Sequence, residues 1–382
     1  MVAQRVRFWP LFQVLRRARR TSLWTEIKPL LKNRLLSMRK SPNKEANPFP
    51  PALFQMAVSY WVSQAIYVAA KLGIADLLSE GPKSSGELAA TTGADPPSLF
   101  RLLRALASLG IFSHTGSDYF ALSGLGESLQ SNAPGSLRAM VITLGEIHYQ
   151  ACGSLLHSVQ TGSSGFTHVF GTNLFEYLEQ EADAADAFNQ GMTNLSSMLS
   201  YAVLCAYDFS EISHIMDIGG GQGTFLRNVL KFHPQVKGTV FDVPSTVEKA
   251  RRLPCTGADG DRLLFASGNF FDSVPAGADA HILCGVVHDW DDARAITILK
   301  NCHKAITGGG RLLLVEMVVP DGNANCFSKL LDLNMLVMNG GRERTKPEFR
   351  SLLDAAGYKL TKIVRTLAPQ SVIEAVPKIT RG

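Results

Sequence analysis

The sequence predicts an α/β fold in which a mostly parallel sheet with helices on both faces follows a smaller, mainly α-helical domain. Within residues 212–230, a strand-like run, a cluster of glycines and a helix-like stretch follow one another. Strand-like and helix-like segments then alternate along residues 238–376, as they do in chains that form parallel sheets. Residues 52–129, in contrast, have helical spacing and end in a short hairpin.

The basic residues are concentrated at the N-terminus. Residues 1–44 contain twelve Lys or Arg and one acid, whereas the rest of the chain contains 26 basic and 32 acidic side chains. A basic segment interleaved with Trp and Leu favours peripheral contact with an anionic membrane or a targeting role, and a loosely ordered extension is the alternative. The mildly acidic remainder argues against nucleic acid as a partner.

Cysteines, histidines and apolar runs limit the class of protein. The sequence has no CxxC pair, no secretory signal and no HExxH motif. We therefore expect free thiols, a cytoplasmic location and no metal site. No run approaches the ~18 uninterrupted apolar residues of a membrane span. At 382 residues the chain is long enough for more than one domain.

The helical first part has the pattern of a winged helix. Ser84 opens a short helix that stops at Gly93, Asp95 opens a second helix, and residues 111–113 and 119–122 form a hairpin. A winged helix raises DNA binding as a rival function.

The helix that would read DNA argues against that function. Residues 98–109 offer Arg101 and Arg104 among apolar side chains, with no Lys, Asn or Gln for base edges or phosphates. We predict that this helix forms core and dimer interface instead.

A cluster of glycines follows the first predicted strand, which we place at residues 212–216. Gly219, Gly221 and Gly223 allow a bulky cofactor to touch backbone, because no Cβ stands in the way. Such clusters occur in nicotinamide, flavin and S-adenosylmethionine (SAM) binders, and a tight turn without a ligand is the alternative. The third glycine of the dinucleotide fingerprint is missing. Asp217, just before the cluster, favours a cationic cofactor.

Asp242 ends the next predicted strand, residues 238–241. It stands about twenty residues beyond the glycines, where a carboxylate can accept both hydroxyls of a ribose. Capping of the helix that begins near Ser245 is the alternative.

Several polar motifs follow the later strands. Residues 263–266 lead to Gly268-Asn269-Phe270, residues 280–284 lead to His288, and the apolar run 311–318 contains Glu316. Residues 372–376 are expected to form a final, antiparallel strand. An aromatic-rich helical region precedes all of these motifs. It supplies either core packing or the lining of a substrate pocket through Tyr149, Phe166, Phe175 and Met192.

Five motifs in this order resemble one family. They are DIGGGQG (217–223), FDVP (241–244), HDWDD (288–292), LLLVEMVVP (312–320) and GGRERT (340–345). Behind a winged helix, this combination is similar to the SAM-dependent O-methyltransferases of the caffeic-acid, acetylserotonin and hydroxyneurosporene types, across residues 50–377. The resemblance implies a Rossmann-like class I methyltransferase sheet, an N-terminal winged-helix dimerisation domain, a homodimer and a small hydroxylated acceptor.

The resemblance also implies roles for individual residues. His288 is the base that removes the acceptor proton, Glu316 and Glu343 hold and orient it, and no metal is required. A phenol with a pKa of ~10 is a poor nucleophile until such a base takes its proton. SAM is held by a larger set, namely Asp217, Gly219, Gly221, Gly223, Asp242, Gly268, Asn269, Phe270 and Cys284.

Three positions depart from the family pattern. Asn269 replaces the usual Asp, and Cys284 and Gly285 stand where Lys or Arg is usual. These departures motivate an alternative, in which the scaffold serves hydroxylation, decarboxylation or cyclisation of a natural product. The resemblance divides the chain into four parts: a basic extension (1–48), the dimerisation domain (49–135), a helical linker that caps the substrate (136–205) and the SAM-binding catalytic domain (206–382).

Overall fold

The computed structural model describes residues 51–253, 260–306 and 309–378. The predictions of membrane contact and targeting for residues 1–44 lie outside these ranges. None of the described helices is long and apolar enough to cross a membrane. The chain divides into two compact units, Met1–Val58 and Ser59–Gly382. Helix α1 (Pro51–Ala57) is the described part of the first unit.

The second unit begins with the predicted helices and hairpin. Ser84 caps one helix in a reciprocal bond with Glu87, and the Asp95 carboxylate caps the next by accepting from the backbone N of Ser98. A small antiparallel sheet of order β1-β3-β2 completes this part. The elements are α2 (Tyr60–Lys71), α3 (Ile74–Leu77), β1 (Lys83–Ser84), α4 (Ser85–Thr92), α5 (Pro96–Ser108), β2 (Phe112–Gly116) and β3 (Tyr119–Leu122).

Helix α5 buries its apolar side, as predicted. Leu99, Leu103 and Leu106 are at most 3% exposed, whereas Arg101 and Arg104 are exposed. The spacing of the three leucines places them on one face of the helix, which packs into the core of the N-terminal part. Its use as a dimer interface remains a prediction.

A run of helices connects this part to the large sheet. The longest is α11, with 25 residues. A single π-helical turn, Leu144–His148, interrupts the run. The helices are α6 (Arg138–Thr143), α7 (Tyr149–Cys152), α8 (Leu155–Thr161), α9 (Gly165–Phe170), α10 (Leu174–Gln180) and α11 (Ala182–Ala206).

The large sheet has the order β10-β11-β8-β7-β4-β5-β6, and β9 pairs with β8. Strands β8, β7, β4, β5 and β6 are parallel neighbours. At one side of the sheet β11 pairs antiparallel with β8, and β10 pairs antiparallel with β11. The strands are β4 (His214–Ile218), β5 (Lys237–Asp242), β6 (Leu263–Ser267), β7 (Ala280–Cys284), β8 (Arg311–Val319), β9 (Arg344–Thr345), β10 (Tyr358–Arg365) and β11 (Gln370–Pro377).

Helices cover the sheet, with apolar side chains packed in two clusters. The helices of this part are α12 (Thr224–Phe232), α13 (Pro244–Arg251), α14 (Asp292–Ala305), α15 (Phe327–Met338) and α16 (Lys346–Ala355).

Two strand predictions need correction or addition. The first strand begins two residues later than predicted, at His214, because Ile212 packs in the core without pairing in the sheet. Asp217 therefore lies within the strand. The antiparallel strand at 372–376 is confirmed, but it forms a hairpin with β10. The sequence did not predict β10, because half of residues 358–365 are exposed and they form no apolar run.

The strand order fixes where a site can form. From β4 the chain moves outward through β5 to β6, then crosses back to place β7 on the other side of β4. In parallel α/β sheets, ligands bind at the carboxyl ends of the strands beside such a switch point. Here the ends of β4, β5, β7 and β8 carry Asp217, Asp242, Cys284 and Glu316.

Candidate active site

The glycine loop after β4 requires glycine at three positions. Gly219, Gly221 and Gly223 have φ angles of +70°, +59° and +79°. A Cβ on Gly219 would stand 2.9 Å from Val286, and one on Gly223 would stand 2.9 Å from Val240. The corresponding direction at Gly221 is open. Two of the glycines therefore permit close packing, while the third leaves space beside exposed backbone.

Asp217 lies fully buried beneath this loop. Neither of its carboxylate oxygens has a hydrogen-bond partner in the part of the chain that the structure describes. Burial, together with the nearby charge of Asp242, raises the pKa of Asp217 to about 7. A buried carboxylate without a donor is costly. The arrangement therefore fits a ligand that brings a cation or hydrogen-bond donors to this point.

Asp242 ties the loop to the neighbouring strand. Its Oδ2 accepts a hydrogen bond of 2.9 Å from the backbone N of Gly221, and its Oδ1 accepts one of 2.7 Å from the backbone N of Val243. Burial raises the pKa of this carboxyl, and the bond from Gly221 opposes the rise. The predicted contact with a ribose thus falls on a carboxylate that the protein already orients.

The residues after β6 shape the same edge of the sheet. The backbone N of Gly268 donates to the backbone O of Asp242 at 3.0 Å, and a Cβ on Gly268 would stand 2.8 Å from Phe241. The exposed Asn269 accepts a 3.0 Å bond from the backbone N of Phe271 through its Oδ1. Phe270 is half-buried, and its Cε1 lies 3.7 Å from where a Cβ of Gly219 would stand.

Cys284 lies between two carboxylates. It ends β7, where it pairs with Val315, the residue before Glu316. Burial raises the pKa of the Cys284 thiol well above its ordinary value, and the charges of Asp217 and Glu316 add to the rise. The side chain is therefore a neutral thiol. Contact of any of these residues with the cofactor remains a prediction.

His288 lies in a single 3₁₀ turn, Val287–Asp289. Its Nδ1 is 2.8 Å from Oε1 of Glu343 and 3.7 Å from Oε2 of Glu316. The imidazole keeps 20% of its exposure, whereas Glu316 and Glu343 keep 1% and 0%. The structure thus brings together the three residues that the sequence assigns to catalysis.

The bond to Glu343 selects one tautomer of the ring. A carboxylate oxygen only accepts, so Nδ1 carries the proton and donates it to Glu343. In the neutral ring Nε2 then holds the lone pair. The side chain can therefore accept a proton at Nε2 from a group in the accessible space beside it.

Glu316 supports the turn that carries His288. Its Oε1 accepts hydrogen bonds from the backbone N of Val287 at 2.8 Å and of Val286 at 3.2 Å. Burial raises the pKa of Glu316 to about 7, although His288 opposes the rise. The backbone N of Glu343 in turn donates to Asp332 at 2.8 Å. Both acids are thus anchored before any ligand binds.

Three acids control the proton affinity of the imidazole. Burial alone would lower the pKa of His288, but the charge of Glu316, the bond to Glu343 and the charge of Asp289 outweigh it and raise the pKa to about 10. Oδ1 of Asp289 is 3.8 Å from Nε2 of His288. His288, Glu316 and Glu343 place their ligand atoms within 4.8 Å of one another, a donor set that can also hold a metal ion. The prediction that no metal is required therefore calls for an experiment.

Comparison with known proteins identifies the chain's family. Residues 153–359, more than half of the chain, match the model of an O-methyltransferase domain. Residues 54–132 match that of an O-methyltransferase dimerisation domain. The chain belongs to the O-methyltransferase family.

Individual relatives match this chain over most of its length. A phenazine O-methyltransferase from Lysobacter antibioticus is 42% identical, over 89% of this chain and 100% of its own length. The crystal structure of LaPhzM matches with a TM-score of 0.83 and 44% identity, over 86% of this chain and 98% of that one. Human N-acetylserotonin methyltransferase in complex with SAM matches with a TM-score of 0.81 and 28% identity, over 88% of this chain and all of that one.

The relatives also include enzymes that methylate nitrogen. A phenazine-1-carboxylate N-methyltransferase from Pseudomonas aeruginosa is 30% identical, over 82% of this chain and 92% of its own length. The protein is therefore a SAM-dependent methyltransferase of secondary metabolism that acts on a small molecule, and SAM is its cofactor. Its dimerisation domain supports a homodimer.

The four predicted pocket residues have different surroundings. Phe175 is 42% exposed and stacks on Trp290, with ring centroids 6.0 Å apart, close to the turn of His288. Tyr149 and Met192 are also exposed. Phe166 is fully buried and packs against Phe170 at 4.4 Å, which is the surroundings of a core residue. Lining of the acceptor pocket remains a prediction for these residues.

Sequence reasoning missed the residues that support the catalytic turn from behind. Arg344 is 1% exposed and hydrogen-bonds the backbone on both sides of His288. Asn339 donates to Asp289 at 2.8 Å. The GGRERT motif contains Arg344, but nothing in its spacing indicates that this charged side chain is buried.

Proposed function

We propose that this O-methyltransferase transfers the methyl group of SAM to an aromatic hydroxyl, with His288 as the general base. The observation that carries the proposal is the 2.8 Å bond from Nδ1 of His288 to Glu343, which in the neutral ring leaves the lone pair on Nε2 to accept a proton. When bound, SAM supplies an electrophilic methyl group on a positively charged sulfur. Asp217, the glycine loop and Asp242 are the residues that would hold it.

The high pKa of His288 suits a phenolic acceptor. A phenol has a pKa of ~10, and the environment of His288 raises its pKa to about 10 as well. Proton transfer between the two is therefore nearly balanced in free energy, and the fraction of His288 that can accept a proton rises with pH towards about 10. As the imidazolium forms, Glu316 and Glu343 stabilise its charge and keep the ring in place. The hydroxyl oxygen gains the electron density that it needs to attack the methyl group.

The acceptor class follows from similarity and from chemistry. The relative named a phenazine O-methyltransferase supports a hydroxylated phenazine as the first acceptor to test. The relative named an N-methyltransferase motivates a second candidate, methylation of a ring nitrogen. The two differ in what they ask of His288, because an unprotonated ring nitrogen has a lone pair and needs no base. The non-methylating alternative requires SAM to remain unconsumed.

Mass spectrometry with matched acceptors distinguishes these outcomes. Purified enzyme is incubated with SAM and either 1-hydroxyphenazine or unsubstituted phenazine, and methylated product is quantified. Wild-type enzyme is expected to methylate the hydroxylated compound. His288→Ala and His288→Asn are expected to lower kcat by roughly 100- to 10,000-fold, the usual contribution of a general base. SAM binding by calorimetry serves as the control for folding.

Each other result has a defined meaning. Near-wild-type turnover in both His288 variants would contradict the assignment of the base. Methylation of phenazine itself, insensitive to the variants, would favour the N-methyl candidate. SAM binding without any methylated product from a panel of phenols would favour the non-methylating alternative. Dialysis against EDTA should leave the rate unchanged, and a rate restored only by added metal would contradict the metal-free mechanism.

A further inference from the structure

A buried arginine forms hydrogen bonds with the backbone around His288. Arg344 begins β9 and is 1% exposed. Its Nε and Nη2 donate to Oδ1 of Asp292 at 3.0 and 2.8 Å. Its Nη1 donates to the backbone O of Val287 at 3.0 Å, and Nη2 also donates to the backbone O of Trp290 at 2.9 Å. The guanidinium thus spans the turn from its first residue to the start of helix α14.

The backbone of Arg342 adds a further hydrogen bond to the same turn. The backbone N of Arg342 donates to the backbone O of His288 at 2.9 Å, and Arg344 also donates to the backbone O of Arg342 at 3.3 Å. The carbonyls of residues 287, 288 and 290 are therefore all held by residues 342–344. Glu343, between them, holds the imidazole itself.

Stability alone is a weak explanation for this arrangement. Burial of a guanidinium is costly, and its carboxylate partner among the described residues, Asp292, is 55% exposed on its side chain. The other acceptors are neutral backbone carbonyls. The fork of N–H donors does, however, fix several points of a turn at once, which a compact ammonium cannot do.

We propose that Arg344 is a positioning residue, which holds the turn 287–292 in the place where His288 meets Glu343 and presents Nε2 to the acceptor. This inference deepens the proposed function and rests on it. All the hydrogen bonds given above for Arg344 go to residues 287–292 or to Arg342. Its loss should therefore act on the base and spare the cofactor loop at 219–223.

The size of the effect follows from the geometry required for catalysis. A shift of about 1 Å in a reacting group can lower a rate about 100-fold. Without the guanidinium, the carbonyl of Trp290 loses the donor Arg344, and that of Val287 keeps the 3.4 Å bond from the backbone N of Trp290. The bonds to Glu316, Asn339 and the backbone N of Arg342 remain, but the side of the turn that Arg344 holds should shift. The bond from His288 to Glu343 should then weaken, and with it one of the interactions that raise the pKa of the imidazole, beside the charges of Glu316 and Asp289.

The test compares Arg344→Lys and Arg344→Met with Arg350→Met. Arg350 is a matched control because it is an exposed arginine on helix α16, outside both the turn 287–292 and the segment 339–345. Three properties are measured: kcat and KM for the acceptor, the dissociation constant for SAM, and the NMR titration of His288 in the unliganded enzyme. His288→Asn identifies the NMR signal.

Both Arg344 variants should lower kcat by about 100-fold and shift the titration of His288 towards its ordinary value near ~6.5, with unchanged SAM affinity. The downfield Nδ1 proton signal should disappear. The control should resemble wild type in all these respects. If a folded Arg344→Lys enzyme keeps both the wild-type kcat and the wild-type titration, the inference is wrong.

Two further measurements test the inference if the Arg344 variants do not fold or if no acceptor is methylated. If the Arg344 variants do not fold, Asp292→Ala removes the half-exposed carboxylate that orients the guanidinium, and the titration of His288 should shift in the same direction; no shift would overturn the inference. If no acceptor is methylated by wild-type enzyme, the proposed function fails, but the NMR titration still decides whether Arg344 holds His288.

Discussion

Among the individual residues, Asp217 gives the strongest indication that a ligand binds here. It is fully buried and both of its oxygens lack partners among the described residues. The sequence placed an acid before the glycines and predicted a cationic cofactor. What it did not indicate is that the acid has no donor among the described residues, because that depends on how β4, β5 and β7 come together.

Because this carboxylate lacks a described donor, we predict that Asp217→Asn weakens SAM binding and stabilises the unliganded protein. The folded-state pKa of about 7 lies above the ordinary 3.8. The stability linked to this group is thus complete below the ordinary value and is lost as pH rises through about 7. At pH ~8 the unliganded variant should be more stable than wild type by a few kcal/mol, whereas at pH ~4 the two should be similar.

Urea denaturation at both pH values and calorimetry with SAM check this prediction. The variant should bind SAM at least tenfold more weakly, since a charge-assisted contact is worth about 1.5–3 kcal/mol. A variant that is less stable than wild type at the higher pH, or that binds SAM equally well, would show that the carboxylate has another partner.

Two elements, the turn 287–292 and the segment 339–345, form one interlocked pair. Gly341 lies where the two segments touch. A Cβ at this position would overlap the backbone O of His288 and stand 2.6 Å from the carbonyl carbon of Asp289. Gly340, its neighbour, has a φ of +70° but open space around it. The two glycines therefore serve different purposes, one for contact and one for conformation.

Alanine at each glycine separates these purposes. Gly341→Ala should push the turn away and lower kcat about 100-fold, because the base moves. Gly340→Ala should cost about 1–2 kcal/mol of stability through its left-handed backbone and keep most of its activity. Steady-state kinetics and thermal unfolding measure both. Equal losses of activity in the two variants would mean that the turn tolerates displacement.

At the scale of the whole molecule, the sequence indicated the fold class, the parallel sheet and the order of the motifs. These features follow from local patterns: apolar runs, the glycine cluster, and capping residues such as Ser84 and Asp95. The family resemblance added the roles of His288, Glu316 and Glu343, and the structure brings the three side chains together.

Features that depend on tertiary partners were not predictable. Strand β10 consists mostly of exposed and half-buried residues and is defined by its pairing with β11. The burial of Arg344 depends on carbonyls from residues more than fifty positions away in the chain. The assignment of Phe166 to a core or a pocket could not be made from an aromatic-rich helix, because both surroundings favour the same residue types.

The pH dependence of kcat/KM for the hydroxylated acceptor, in wild type and Glu343→Gln, is the most direct test of His288 as the base. Glutamine can still accept the Nδ1 proton but lacks the charge that helps to raise the pKa of His288. In wild type, kcat/KM should rise with an apparent pKa above the ordinary histidine value of ~6.5. In the variant, this apparent pKa should be lower, and the maximal kcat/KM should also be lower. An apparent pKa that is the same in wild type and variant would contradict the role of His288 as the base.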